Sequence, residues 1–243
     1  MTLDERFAQR VLDETTWFPY YLPHWSSRRQ SRAVFEVLPG LLRLTIPNDH
    51  PLWCPNTHIE PLRVSGIQSG NVPGSQAFRD DLQIVELDND FRGHLPMYGQ
   101  IGIRMRGEVS ERSMFAFWLS GIEDTSERSG EICVAEIFGA GVTAETARVG
   151  IGVRAIRDPK LVGDFTEDAQ PIDVARFHDF AVDWMPGWVS FTIDGAIVKE
   201  IDESPDYPVI LMIGLFDFPA RATSSPLHTP VMEVERVWSR PLA

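Results

Sequence analysis

The chain has 243 residues, of which 43% are hydrophobic and 23% are charged, as in an ordinary globular protein. This length suits one large all-β domain or two small domains. The formal net charge of -13 disfavours nucleic acid or an anionic membrane surface as the main partner, since both would repel the protein, but it allows a neutral ligand. Only two cysteines occur, Cys54 and Cys133, so no disulfide framework is predicted.

The first predicted element is a short helix over residues 2–14. Thr2 and Glu5 have the spacing of a capping box, and Phe7 and Leu12 lie on one apolar stripe. Charged residues interrupt the apolar core that a signal peptide needs, and no stretch of the chain approaches the ~18 apolar residues of a membrane span. The chain as written is therefore expected to be cytoplasmic, although a secreted protein whose leader has been removed would have the same sequence.

Short runs of strand-forming residues, separated by Gly, Pro, Asn and Asp, follow this helix. The predicted strands lie at residues 34–46, 101–106, 114–119, 177–184, 189–193, 196–199, 209–218 and 231–238. Asp194 and Gly195 predict a hairpin turn, and residues 71–97, which lack periodicity, are interpreted as a long loop at the rim of a cleft. Many strands, little helix and no linker predict one all-β sandwich or jelly roll over residues 1–243, with residues 1–33 as an N-terminal extension.

One predicted strand carries two carboxylates five residues apart in an apolar run, residues 130–139. Side chains of a strand alternate, so strict alternation would turn Glu136 toward the apolar face, where an unpaired charge is costly. A one-residue bulge near Ala135 avoids this cost and returns Glu136 to the face that carries Glu131 and Cys133.

Two facing carboxyl groups are what glycoside hydrolysis needs. One group attacks the sugar or activates water, and the other donates a proton to the leaving group. The alternative interpretation is a strand whose glutamates are exposed and have no catalytic role. The sequence of this strand alone does not separate the two.

Three segments carry further motifs in a fixed order. They are Tyr98-Gly99 and Arg104 with the run Met-Phe-Ala-Phe-Trp-Leu at 114–119, then Glu-Ile-Cys-Val-Ala-Glu at 131–136, and finally residues 177–184, 189–195 and 230–237. With its motifs in this order and spacing, the chain resembles glycoside hydrolase family 16, the laminarinase-like β-glucanases, over about residues 34 to 240. The second segment matches the family's Glu-Ile-Asp-x-x-Glu signature except at Cys133.

The resemblance implies a concanavalin A-like β-jelly roll of two packed antiparallel sheets with a concave cleft. It implies an endo-glycosidase that hydrolyses a β-linked polysaccharide with retention, a β-1,3 or β-1,3/1,4 glucan or a related polymer. The family needs no redox or organic cofactor. Some relatives bind a structural calcium ion, but no oxygen-rich loop predicts one here, and no metal site is expected. The sequence does not predict an oligomeric state.

By position in the motif, Glu131 would be the nucleophile and Glu136 the general acid/base. Retention requires carboxyl groups ~5–5.5 Å apart, and their repulsion is expected to keep Glu136 protonated while Glu131 stays ionised. Trp118 matches a cleft tryptophan on which a sugar ring stacks, or else it is a core residue between the sheets. Arg104 is expected on a non-core face, where it would hold Glu131 or a sugar hydroxyl or remain a solvated strand arginine.

Cys133 stands where the family has an aspartate, and Gly102 stands where it has a glutamate two residues before the arginine. A thiol between two carboxylates should stay neutral, and losing a negative neighbour should lower the proton affinity of both glutamates. We therefore expect either a slow hydrolase with an acid-shifted optimum or a lectin-like carbohydrate-binding jelly roll that has lost turnover. An intracellular interaction or structural domain without sugar affinity is a third interpretation.

Overall fold

The computed structural model describes residues 2–56, 60–72, 83–223 and 229–242. Strands dominate these ranges. In chain order they are β1 (Leu3–Glu5), β2 (Val34–Leu38), β3 (Leu41–Thr45), β4 (Arg63–Gln68), β5 (Gly70–Asn71), β6 (Phe91–Arg92), β7 (Gly99–Glu108), β8 (Ser113–Gly121), β9 (Glu131–Phe138), β10 (Ala147–Arg154), β11 (Asp164–Gln170), β12 (His178–Met185), β13 (Trp188–Ile193), β14 (Ala196–Ile201), β15 (Val209–Asp217) and β16 (Val231–Arg240). Within the described ranges, one α-helix is present, the single turn α1 (Arg28–Ser31), and 3-10 turns cover Pro23–Trp25 and Gly139–Gly141.

Two antiparallel sheets make up the body of the described structure. We call them the outer sheet, in the order β14-β13-β12-β7-β16-β3-β2 with β1 added beside β16, and the cleft sheet, in the order β11-β10-β9-β8-β15-β4. The main hydrophobic core draws on both sheets, with Ile103 and Val234 from the outer sheet and Phe117 and Ile132 from the cleft sheet. The predicted β-jelly-roll sandwich is therefore confirmed.

Each predicted strand is found in the structure. The run at 34–46 is a hairpin, β2–β3, and the turn at Asp194 and Gly195 is confirmed, since both residues have positive φ values, 50° and 80°. Strands β4, β5, β6, β10 and β11 were not predicted, and β6 lies within the segment at 71–97 that was interpreted as a long loop. In β10, Gly150 and Gly152 lower the local strand propensity, and pairing with both neighbours compensates for this weakness.

The predicted helix at residues 2–14 is wrong. Leu3–Glu5 instead pairs with β16, and Arg236 of that strand donates a 2.6 Å hydrogen bond to Asp4. Phe7, at φ 49°, turns the chain inward, and its side chain is buried in the main core. Strand pairing and core burial together outweigh the helix propensity of a short segment, which is marginal on its own.

A second apolar cluster covers the opposite face of the cleft sheet. It combines strand residues such as Trp118 and Met212 with Trp25, Trp53 and Cys54 from the segments before β4. The segment predicted as an N-terminal extension therefore packs on the cleft sheet and forms one wall of the cavity described below.

Candidate active site

The register of the cleft sheet places small residues on both sides of Glu136. Ala116 lies opposite Glu136 on β8, Gly214 lies opposite Ala116 on β15, and Gly66 lies opposite Gly214 on β4. On the other side of β9, Gly150 faces Glu136. Because this cross-strand row has almost no side chains of its own beside Glu136, it forms a hollow in the sheet, which the rings of Phe165 and Phe216 partly fill.

A β-bulge brings the two glutamates to this hollow. Phe117 lies opposite Ala135, whereas the next residue, Trp118, lies opposite Cys133, so β9 carries one extra residue at Val134. The main core buries Val134 and Ala135, and Glu131 and Glu136 both line the cavity on the other face. The predicted bulge is therefore confirmed, and it is the physical reason that both carboxylates share one face.

The cavity over this face has a volume of about 380 Å³. Its floor is the cleft sheet, and its wall is the N-terminal segment, which contributes Tyr21, Leu22 and Trp25. Apolar side chains form most of the lining, and the carboxylates converge in it. An apolar pocket with a few convergent polar groups is the common form of a site for a small molecule or a sugar.

Glu136 is bound at both oxygens by Arg154. The Arg154 Nη1 and Nη2 atoms donate hydrogen bonds of 2.7 Å to Oε1 and Oε2 of Glu136, respectively. The same Nη1 lies 3.8 Å from Oε2 of Glu131, so one guanidinium bridges the two carboxyl groups. Two-point binding of this kind favours the ionised carboxylate.

The environment of Glu131, in contrast, favours the protonated carboxyl. Burial raises its pKa to about 7 from 4.5, and the charge of Glu136 adds to the increase. Arg154 and a hydrogen bond from Trp118 act against this increase but do not cancel it. The free protein thus favours a proton on Glu131, the carboxyl that the resemblance expects to be ionised.

Cys133 lies between the two glutamates on β9 and belongs to the apolar cluster on the cleft face. Its side chain is buried, and burial raises the pKa of the thiol well above the usual range, with the charges of Glu136 and Glu131 adding to the effect. The thiol is therefore neutral, as expected from the sequence. Neither Cys133 nor Cys54 forms a disulfide, and both side chains are buried.

Trp118 lies on the cleft face and not between the sheets. It lines the cavity and is 8% exposed, with the rings of Tyr21 and Phe216 packed at centroid distances of 6.2 Å and 6.0 Å. The core interpretation of Trp118 is therefore corrected. Most of the indole surface is covered by its neighbours in this structure, and its role as a sugar platform stays a prediction.

Arg104 is not part of the site. It lies on β7 of the outer sheet, where its guanidinium binds Asp179 at 3.0 Å and Glu235 at 2.8 Å. The hypothesis that it holds Glu131 is corrected, because the alternation of β7 turns Ile103 and Met105 into the core and Arg104 away from it. The arginine that contacts the carboxylates is Arg154.

Sequence reasoning missed Arg154, Phe165 and Tyr21. Arg154 ends a strand that was not predicted, and the available signal was the alternation Gly150-x-Gly152-x-Arg154, which clears one face of a strand next to a charge. Tyr21 comes from a segment without regular structure, so no periodicity indicated its place.

Part of the predicted rim loop lies outside the described residues, at positions 73–82. Asn71 and Val72, at its start, line a small cavity beside the main one, together with Leu22 and Glu123. Within the described ranges, no group of three or more His, Cys, Asp or Glu side chains is placed to hold a metal ion. In the same ranges, no helix has the length and apolar character to cross a membrane.

The fold and the paired carboxylates define a β-jelly roll with an acidic cleft site. A sequence model of glycosyl hydrolases family 16 matches residues 93–225, more than half of the chain, and the chain belongs to this family. The family assignment made from the motifs is therefore confirmed. No curated protein matches the chain in sequence.

Solved structures share the fold. A GlcNAcα1-4Gal-releasing endo-β-galactosidase from Clostridium perfringens has 25% identity and a TM-score of 0.83, covering 97% of this chain. The chain spans 62% of the length of that protein. An endo-1,3-β-glucanase (laminarinase) catalytic domain from Thermotoga petrophila has 16% identity and a TM-score of 0.65, over 98% of this chain and 96% of that one. A β-1,3-1,4-glucanase (lichenase) from a mouse hindgut metagenome has 16% identity and the same TM-score, over 99% of both chains.

Proposed function

We propose that this protein is a retaining endo-glycosidase that cleaves a β-linked polysaccharide, with Glu131 as nucleophile and Glu136 as general acid/base. One observation carries the proposal: the bulge at Val134 turns both carboxyl groups into one cavity and a shared guanidinium bridges them. Family membership supports the same chemistry. The reaction needs no organic cofactor, because two carboxyl groups supply both the nucleophile and the proton.

We propose two candidate classes of substrate. The β-1,3 or β-1,3/1,4 glucans follow from the sequence motifs, and the laminarinase and lichenase structures support the fold that goes with them. The endo-β-galactosidase has the higher identity and TM-score, 25% and 0.83, and this likeness supports an internal β-galactoside linkage in a neutral glycan. We place the β-galactoside first. In both cases a chain of net charge -13 suits an uncharged polymer.

A substrate panel tests this function. Purified protein is assayed on laminarin, lichenan, agarose, carrageenan and a GlcNAcα1-4Gal-capped glycan, beside Glu131→Gln and Glu136→Gln. Glu167→Gln serves as the control, since Glu167 is an exposed acid on β11 of the same sheet. We expect turnover of one polymer class, lost at least 100-fold in the two site variants and kept in the control. Equal activity in all four proteins would contradict the catalytic assignment.

A lectin-like carbohydrate-binding jelly roll is the second candidate function. The observation that favours it is the two-point ion pair, which engages both oxygens of Glu136, whereas hydrolysis needs this group to donate a proton. Under this alternative, a polymer of the panel binds with unchanged affinity to the wild type, Glu131→Gln and Glu136→Gln, and none is cleaved. Calorimetric titration with oligosaccharides separates this outcome from hydrolysis.

A further inference from the structure

Arg154 reaches past its nearest carboxylate to bind the farther one. In the β9–β10 pairing it lies directly opposite Glu131, yet both of its hydrogen bonds to carboxylate go to Glu136. Gly152 lies opposite Cys133 and Gly150 opposite Glu136, so neither residue between Arg154 and Glu136 on this face carries a side chain. The bare strand leaves a path along which the arginine side chain extends.

The two glycines are required by the packing around this path. A Cβ on Gly150 would lie 2.6 Å from the Phe165 ring and 3.2 Å from Cβ of Glu136. Gly152 has φ 149°, and a Cβ there would collide with the Asp164 carbonyl on β11. The space they leave is filled from β11 by Phe165, whose ring centroid is 3.9 Å from the Arg154 guanidinium carbon.

The Phe165 ring and the carboxylates therefore hold the guanidinium from different sides. A cation over an aromatic face gains electrostatic attraction, and a planar guanidinium matches a carboxylate at two points. Among the described residues that line the cavity, Arg154 is the one cation. Its orientation is fixed by three neighbouring strands, β9, β10 and β11, rather than by its own rotamer preference.

We propose that Arg154 is a positioning residue that, in the substrate-free protein, holds Glu136 ionised in one orientation and leaves the proton of the carboxylate pair on Glu131. The hold on Glu136 follows from its two hydrogen bonds to Arg154, and the proton on Glu131 follows from the burial that raises the pKa of that carboxyl. The catalytic consequence of this inference rests on the proposed glycosidase function.

The groups around the pair are consistent with this distribution. From β9, Cys133 faces both carboxylates as a neutral thiol. From the N-terminal segment, Tyr21 is neutral, since burial raises the pKa of its phenol. Glu123, from the segment after β8, lines the same cavity and adds negative charge. Arg154 is therefore the cation that, together with the burial of Glu131, sets the charge distribution of the pair.

Turnover with Glu131 as nucleophile then requires a rearrangement. The guanidinium must leave at least one oxygen of Glu136, and the proton must pass from Glu131 to Glu136, so the total charge of the pair does not change. After this transfer, Glu131 is a carboxylate that can attack the sugar, and Glu136 holds the proton for the leaving oxygen.

Carbon-13 NMR of glutamate side-chain carboxyls tests the protonation part without any need for activity. Protein labelled at glutamate Cδ is titrated from pH 4 to pH 9, and Glu131→Gln and Glu136→Gln assign the two signals. We expect the Glu131 signal to titrate near pH 7. In Arg154→Met, which lacks the two-point partner, the midpoint of the Glu136 signal should move to higher pH than in the wild type. A wild type in which Glu136 takes up the proton before Glu131, or an Arg154→Met protein whose Glu136 signal is unchanged, overturns the proposal.

The pH profile of kcat/KM provides the second readout. Because Arg154 stabilises the ionised forms of the pair, its loss should move both limbs of the profile to higher pH, by about one pH unit or more. Arg154→Lys keeps the charge but not the two-point geometry, so its shift should be smaller and in the same direction. Arg148→Met is the matched control, an exposed arginine on the same strand, and its profile should coincide with that of the wild type.

These two readouts separate failure of the proposal from failure of the proposed function. Unshifted limbs in a folded, active Arg154→Met protein contradict the positioning role of Arg154. A wild type without activity on any polymer contradicts the glycosidase function, and the NMR titration then decides the protonation proposal by itself.

Discussion

Arg154 binds Glu136 at two points from the neighbouring strand, with both hydrogen bonds at 2.7 Å. Glu136 is 9% exposed, so its charge is largely removed from water and depends on this partner. Removing one partner of a buried, hydrogen-bonded ion pair is costly, because the remaining charge is left without compensation. Arg154 therefore links the stability of the cleft sheet to the charge state of its site.

The first prediction concerns stability as a function of pH. The pKa of Glu131 is raised from 4.5 to about 7, so the fold favours the protonated form. The stability this provides is fully present below pH 4.5 and is lost as the pH rises through 7. Glu131→Gln cannot ionise, so its free energy of unfolding should rise relative to the wild type by about 2–3 kcal/mol between pH 5 and pH 8.

Urea denaturation of both proteins at several pH values measures this difference. Glu167→Gln, which replaces an exposed acid, is the control and should track the wild type across the range. A constant difference between Glu131→Gln and the wild type from pH 5 to pH 8 would show that Glu131 is not protonated in the fold.

The second prediction concerns Cys133→Asp. The thiol is fully buried beside two carboxyl groups, so a third acid at this position raises the proton affinity of its neighbours and makes a protonated acid more available at neutral pH. We expect a higher kcat on the active polymer together with a melting temperature lowered by several degrees. Cys133→Ser, which is neutral and similar in size, should keep the wild-type rate. A large drop in the rate of Cys133→Asp would mean that the thiol has a role of its own.

The third prediction concerns the glycine path on β10. Gly152→Ala forces a Cβ against the Asp164 carbonyl at φ 149°, so it should destabilise the fold by about 2–4 kcal/mol. Gly187→Ala is the control, because Gly187 also has positive φ, 71°, but its Cβ would meet no atom within 4 Å. It should cost about 1 kcal/mol. Thermal unfolding of both proteins gives the comparison, and equal losses would count against the packing argument.

The fourth prediction concerns Arg104, for which the sequence left open a contact with Glu131 or a sugar hydroxyl and a solvated position on its strand. Its ion pairs with Asp179 and Glu235 lie on the outer sheet, and its side chain is 38% exposed. Arg104→Met should therefore leave kcat/KM within about twofold of the wild type and change stability by less than about 1 kcal/mol. A loss of activity at unchanged stability would return Arg104 to the site.

Much of the fold could be predicted from local pattern. Alternating β-formers and turn residues mark most strands of the outer sheet and half of the strands of the cleft sheet. Asp194-Gly195 marks its hairpin, because side-chain alternation and positive φ each favour particular residue types. The prediction of an N-terminal helix was wrong for the opposite reason. Thr2 to Leu12 carries a helical pattern, but the partner that decides its structure, β16, is more than 200 residues away.

The sequence by itself determined the carboxylate pair and the bulge that it needs, since burying Glu136 among aliphatic side chains would have been too costly. Only the tertiary structure decided the charge state of that pair. Arg154 is 18 residues from Glu136, on a glycine-rich strand with weak propensity, and sheet register alone brings the two together. Which acid carries the proton depends on burial and on a neighbouring charge, and both are properties of packed strands rather than of any one segment.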